Sequence, residues 1–149
     1  MASVKFKHAT TYQFPPETVF AAITDVDLEP RWQPQVLRVW QEPAGPVTLG
    51  TRFGRERKIM GKVTVQLSKV VALEPNARVE MREQPGTDQP PFCVSYRLTP
   101  VGPDSTKLDF SLVIEGVPAI FASAVRHRLS GEVAGQFNLL GELLAAGAQ

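Results

Sequence analysis

A single cysteine, Cys93, denies this 149-residue chain any internal disulfide, so its fold rests on packing. The opening MASVKFKH has no apolar stretch of the secretory kind, and a reducing cytoplasm is the expected setting. An excess of one charge is lacking too. The 16 Lys and Arg against 15 Asp and Glu leave a net charge of +1, which gives no electrostatic footprint for a phosphate backbone, and nucleic acid is not an expected partner. No apolar run approaches the ~18 residues of a membrane span, so stable membrane insertion is not expected. Histidine is scarce. His8 and His127 lie on separate predicted elements, and with one cysteine they offer no metal-ligand spacing; neither a zinc site nor a cofactor is expected. Neither a repeat nor a low-complexity tract is evident, and no second domain is expected within these residues. One domain over residues 1–149 is long enough to bury roughly 70% of the surface of its unfolded form.

What is present is alternation. In residues 4–14, Val4, Phe6, His8, Thr10, Tyr12 and Phe14 share one parity and Lys5, Lys7, Ala9, Thr11 and Gln13 the other, the pattern of a half-buried strand. Pro15-Pro16-Glu17 then starts a helix, since proline suits the first helical position and an early carboxylate complements the dipole. Val19, Phe20 and Ile23 mark its buried side, and residues 25–34 read as a short second helical turn closed by prolines. From Gln35 the period is two again. About six further strands, at 35–42, 50–60, 61–74, 77–83, 92–100 and 105–116, are separated by proline, glycine and Asx turns, and such connections favour an antiparallel meander.

Residues 118–146 predict one long amphipathic helix with Pro118 near its first turn and Gly147 as its stop. Its apolar stripe is Phe121, Val125, Leu129, Val133, Phe137, Leu140 and Leu144. A neighbouring strip of Ala124, Gly131, Ala134 and Gly135 suggests close backbone approach or space beside the helix, because each interior glycine costs about 1 kcal/mol. A lone helix of this length cannot hide its apolar side, so the strands must form a sheet curved enough to hold it, with a core or a cavity between.

Three short pieces carry a family resemblance. Pro15-Pro16-Glu17-Thr18-Val19-Phe20, Asp25 followed by Trp32-Gln33-Pro34, and Gly50-Thr51-Arg52-Phe53 resemble the polyketide cyclase/dehydrase and lipid-transfer-like branch of the START/Bet v 1 (SRPBCC) superfamily. The resemblance implies an α+β helix-grip fold: a curved seven-stranded antiparallel sheet around a long C-terminal helix, with two short helices between strands 1 and 2. It carries no catalytic signature, because the superfamily includes lipid carriers, aromatase/cyclases, hormone receptors and chaperone activators.

Strand parity nominates an inward face: Phe6 and Tyr12; Phe53; Val63, Val65 and Leu67; Val79 and Met81; Phe92, Val94 and Tyr96; Phe110, Leu112 and Ile114. Each of these is also what an ordinary core requires. Arg55 and Arg57 share the parity of Phe53. Inward guanidinium groups need an anion, either a ligand carboxylate or enolate or an internal glutamate such as Glu83; otherwise a bulge or edge sends them to solvent. Tyr12, Tyr96 and His8 could orient a ligand oxygen or move a proton, or be satisfied core groups. Cys93 has the outward parity and reads as structural, and His127, between Arg126 and Arg128, reads as part of a solvated face. No Ser-His-Asp context is evident, and Gly50 to Gly54 opens a strand, not a helix, so it is no phosphate cradle.

The candidate ligand-binding set is Tyr12, Phe53, Arg55, Arg57, Val65, Met81, Tyr96 and Phe110, with no catalytic residue assigned. The expected function is binding of a hydrophobic or amphipathic small molecule, of lipid, polyketide or aromatic type, between sheet and helix. The alternatives are a polyketide cyclase/aromatase-like enzyme and a protein-interaction module without a ligand. Oligomeric state is left open.

Overall fold

Alternation builds the first strand as expected: β1 (Ala2–Tyr12) buries Val4 and Tyr12 and leaves Lys5, Lys7, Ala9 and Thr11 in solvent. The computed structural model describes residues 2–59, 61–87 and 89–147. Helix α1 (Pro16–Ile23) follows, with Pro16 and Glu17 in its first turn and Val19, Ala22 and Ile23 buried. The Thr24 hydroxyl closes it by donating to the Phe20 carbonyl at 2.8 Å. The short α2 (Glu29–Trp32) buries both of its end residues.

Six more strands run β2 (Val36–Glu42), β3 (Arg52–Ile59), β4 (Lys62–Glu74), β5 (Arg78–Glu83), β6 (Phe92–Gly102) and β7 (Ser105–Val117). They form one antiparallel sheet in the order β1-β7-β6-β5-β4-β3-β2. The first two strands of the chain therefore lie at opposite edges, and α1 and α2 bridge between them. The fold is the α+β helix grip: a curved seven-stranded antiparallel sheet with a long C-terminal helix against it. Trp40 pairs across from Gly54 on the outer face, where a Cβ at Gly54 would lie 2.0 Å from the indole; only glycine leaves room for the ring.

A 3₁₀ turn (Ala119–Phe121) precedes helix α3 (Ala122–Ala145), so regular helix begins four residues after Pro118. Gly147, at φ +78°, ends it as expected, its N–H donating to the Leu144 carbonyl at 3.1 Å. The predicted stripe divides in two. Val133, Phe137, Leu140 and Leu144 are buried, Val125 and Leu129 half-buried, and Phe121 is 54% exposed. The C-terminal half of α3 thus packs into the core against β1 and α2, while the other half stands over open space.

Phe137 is the centre of that core. Its ring stacks on His8 at 5.5 Å between centroids and meets Trp32, Tyr96 and Phe110 at 5.7, 6.3 and 5.3 Å. Its carbonyl accepts a 2.7 Å hydrogen bond from the Tyr12 hydroxyl.

Two sequence expectations are corrected. On β4 the inward residues are Thr64, Gln66, Ser68 and Val70, not Val63, Val65 and Leu67; the register sets Thr64 opposite Arg57, Gln66 opposite Arg55 and Ser68 opposite Phe53. The reason is chemical: two inward arginines need oxygen acceptors across from them, and along that stretch the strand turns Val63 and Val65 out. Val63 and Val65 are 49% and 54% exposed. Of the two readings of the small-residue strip of α3, close approach is the one that fails: a Cβ added at Gly131 or Gly135 would meet nothing within 4 Å, and both glycines stand beside open space on the solvent side. Close packing occurs at Gly141, where a Cβ would lie 3.2 Å from the Tyr12 ring.

Candidate ligand cavity

Between the N-terminal half of α3 and the sheet lies a cavity of about 450 Å³, within the range of small-molecule sites. Its sheet wall is Phe92, Val94 and Tyr96 of β6 with Phe110, Leu112 and Ile114 of β7. The register pairs Phe92 with Ile114, Val94 with Leu112 and Tyr96 with Phe110, so the wall consists of three stacked pairs on one face. Val125, Leu129 and Val133 of α3 lie opposite, spaced four apart as one helix face requires. Polar groups complete the lining: Gln33 and Gln35 after α2, Arg57, Thr64 and Gln66 from β3 and β4, Gln89, and Arg128, Glu132 and Gln136 from α3 itself. Tyr96 and Phe110 are buried and Phe92 and Ile114 half-buried, which sets an inner and an outer end.

The two arginines diverge in their surroundings. Arg55 is matched fork to fork by Glu29, Nε to Oε2 at 2.5 Å and Nη2 to Oε1 at 3.0 Å, and Nη1 donates to Ser68 Oγ at 3.1 Å. Both side chains are under 10% exposed, at 8% and 5%. Burial opposes the charge, yet Glu29 holds the Arg55 pKa above its ordinary value. The counter-ion is therefore Glu29, not Glu83, whose Oε2 instead accepts the Phe92 N–H at 3.1 Å.

Arg57 has no carboxylate within 4.0 Å among the described residues. Its Nε donates to Gln66 Oε1 at 3.1 Å and its Nη2 to Gln33 Oε1 at 3.3 Å, both neutral. Burial first, and then the Arg55 cation, push its pKa below the usual value, with Glu29 and Glu132 only partly offsetting them. A recess of about 20 Å³, large enough for one water, opens beside these groups and is bounded in part by Arg55, Arg57, Gln33, Gln66, Ser68 and Tyr96. It shares Gln33, Arg57, Gln66 and Tyr96 with the wall of the main cavity.

Of the sequence-nominated set, Arg57, Val65, Tyr96 and Phe110 border the cavity, Val65 at a solvent-exposed position. Arg55 and Met81 reach only the recess and a second crevice near Glu29, which Phe53 also lines. Tyr12 stands apart, its hydroxyl committed to the Phe137 carbonyl. Cys93 lies outside the cavity lining, with burial pushing its thiol pKa up. Sequence reasoning missed Glu29, Gln33, Gln66 and Gln136. For Gln66 a signal existed, since it has the parity of Ser68 and Val70.

Both tyrosines of the chain are held protonated beyond the ordinary range, Tyr96 by burial and then by Glu29, Tyr12 by burial and then by Tyr96. The unfolded chain releases these protons near pH 10 while the folded chain keeps them. Their contribution to stability is thus complete below that pH and is lost as pH rises above it. A spectrophotometric titration should show tyrosinate appearing only together with alkaline unfolding seen by circular dichroism. Ionisation centred near pH 10 in protein that stays folded contradicts this burial.

The sequence profile described as polyketide cyclase / dehydrase and lipid transport matches residues 3–144. No curated protein matches the chain. Among solved structures, a START superfamily protein from Mycobacterium smegmatis superimposes with a TM-score of 0.77 at 19% identity, over 94% of this chain and 98% of that one. A protein from Thermus thermophilus gives 0.75 at 19%, over 97% and 99%. The Zhui aromatase/cyclase from a Streptomyces species gives 0.71 at 13%, over 99% and 94%. At these identities the likeness is one of fold.

Proposed function

We infer, for a chain that belongs to the polyketide cyclase / dehydrase and lipid transport family, that it binds a hydrophobic or amphipathic small molecule in the cavity between β6, β7 and α3. The observation that carries this reading is the cavity itself, about 450 Å³, with an apolar wall of paired strand residues facing Val125, Leu129 and Val133 and a smaller number of polar groups from α2, β3, β4 and α3 in its lining. Sites of this build bury most of a drug-sized ligand and use a few polar atoms to orient it. Arg57, Tyr96 and Phe110 from the sequence-nominated set serve here, joined by Val94, Leu112 and Leu129. Arg55 supports the site through its pairing with Glu29 and does not touch the ligand.

A thermal-shift and native mass-spectrometry screen with fatty acids, quinones, polyphenols and sterols should yield stabilising ligands. Leu112→Trp, which projects an indole into the cavity, should abolish their binding while the protein keeps its native circular dichroism. Binding undiminished by that substitution would place the ligand elsewhere, and a folded protein that binds no class would leave the interaction-module reading.

One observation favours an enzyme of aromatase/cyclase type as a second reading. The Tyr96 hydroxyl has no protein partner among the described residues and stands by the same recess as Arg57. A phenol held protonated beside a fixed cation is suited to donating a hydrogen bond to an enolate oxygen as charge develops there. Turnover of a poly-β-keto substrate by the purified chain separates this from binding alone.

A further inference from the structure

We propose that the cavity's ligand carries a single carboxylate, which Arg57 holds where the recess meets the cavity while the apolar body lies between Val94, Leu112 and Leu129. The inference rests on the binding role above and adds the chemical class of the ligand.

It follows from counting charge around the recess. Arg55 and Glu29 cancel one another through two hydrogen bonds, at 2.5 and 3.0 Å. What remains is one cation, Arg57, whose described partners are two glutamine oxygens. Glu132 on the α3 wall does not neutralise it, because its Oε1 accepts from Arg128 Nε at 3.1 Å and its side chain is 38% exposed. A cation beside an apolar chamber without a counter-ion is unfavourable, and a single excess charge matches a monoanion. The directions match as well. Nε and one Nη2 proton of Arg57 are used, and Nη1 has no protein acceptor among the described residues. A planar carboxylate can accept from Nη1 and the second Nη2 proton together, in the forked geometry guanidinium groups favour. The Tyr96 hydroxyl supplies a further donor at the same recess. At the far side of the cavity Val125, Leu129 and Ile114 suit an alkyl or aryl body.

The test compares acids with their uncharged counterparts on the purified full chain: dodecanoate against methyl dodecanoate, and 2-naphthoate against methyl 2-naphthoate, by calorimetry. A charge-assisted pair of this kind is expected to favour the acid by roughly 10–100-fold. Arg57→Gln should remove that preference, bringing acid and ester affinities together, while Arg57→Lys should retain part of it. Esters that bind the native chain as tightly as the acids overturn the carboxylate inference and leave the binding role standing. An acid preference that survives in Arg57→Gln also overturns it. If acids, esters and the neutral screen are all silent, the binding role itself falls.

Discussion

Replacing Glu29 by alanine lowers the melting temperature by roughly 10–15 °C, corresponding to about 3–5 kcal/mol. The size follows from what is left behind. Arg55 would retain Ser68 and the face of Phe53, 5.3 Å from its guanidinium carbon, but no anion, inside a region where both partners are nearly inaccessible. Removing one member of a buried pair strands the other charge, whereas removing both spares that cost. The double variant Glu29→Leu with Arg55→Met should therefore recover more than half of the loss. Urea denaturation of Glu29→Leu alone, Arg55→Met alone and the double variant measures the coupling. A loss below about 1 kcal/mol for Glu29→Ala is the behaviour of an exposed pair and would contradict the burial of this one.

Phe137→Ala should cost about as much, roughly 3–5 kcal/mol. The side chain is 2% exposed and touches four rings contributed by β1, α2, β6 and β7, so truncation opens a void where helix, sheet and short helix meet. The matched control is Phe121→Ala. Phe121 belongs to the same predicted stripe, yet at 54% exposure its loss should stay within about 0.5 kcal/mol. Chemical denaturation of the two variants compares the ends of the helix directly, and equal losses would mean that α3 packs along its whole length and leaves no chamber beneath its first half.

A stripe built on steps of four could not supply the difference between those phenylalanines. Each step drifts about 40° round a helix of 3.6 residues per turn, so Phe121 and Phe137 lie about 160° apart, and the pattern does not say which part of that spiral meets the sheet. The sheet does not run under α3 uniformly, and which half is covered is decided by how β1 and α2 dock. Period two was more informative on β3, where Phe53, Arg55 and Arg57 do point inward. It failed on β4, where choosing the apolar parity put Val63, Val65 and Leu67 on the wrong face. A strand opposite buried arginines is selected for oxygen atoms on its inner face, and hydrophobicity then reports the outer one.

Glu29 was the least legible member. It sits in a four-residue helix with Pro30 inside it, a segment too short for any periodicity, and its role depends on Arg55 arriving from 26 residues further along the chain. Glu83 had strand parity in its favour, and tertiary placement gave the task to Glu29 instead. The fold was readable because strand, helices, meander and final helix follow in order with turn chemistry between. The polar geometry of the cavity was not, because it is made by residues that meet only after the sheet has curved.

Methyl-resolved NMR with a bound ligand such as dodecanoate tests most directly whether the space between sheet and helix is the place of binding. Methyl resonances of Val94, Leu112, Ile114, Val125 and Leu129, all bordering the cavity, should shift and show contacts to the ligand, while Leu37, Leu49 and Val71 on the exterior stay fixed. Shifts confined to those exterior methyls, with the cavity set unchanged, would contradict an internal ligand site.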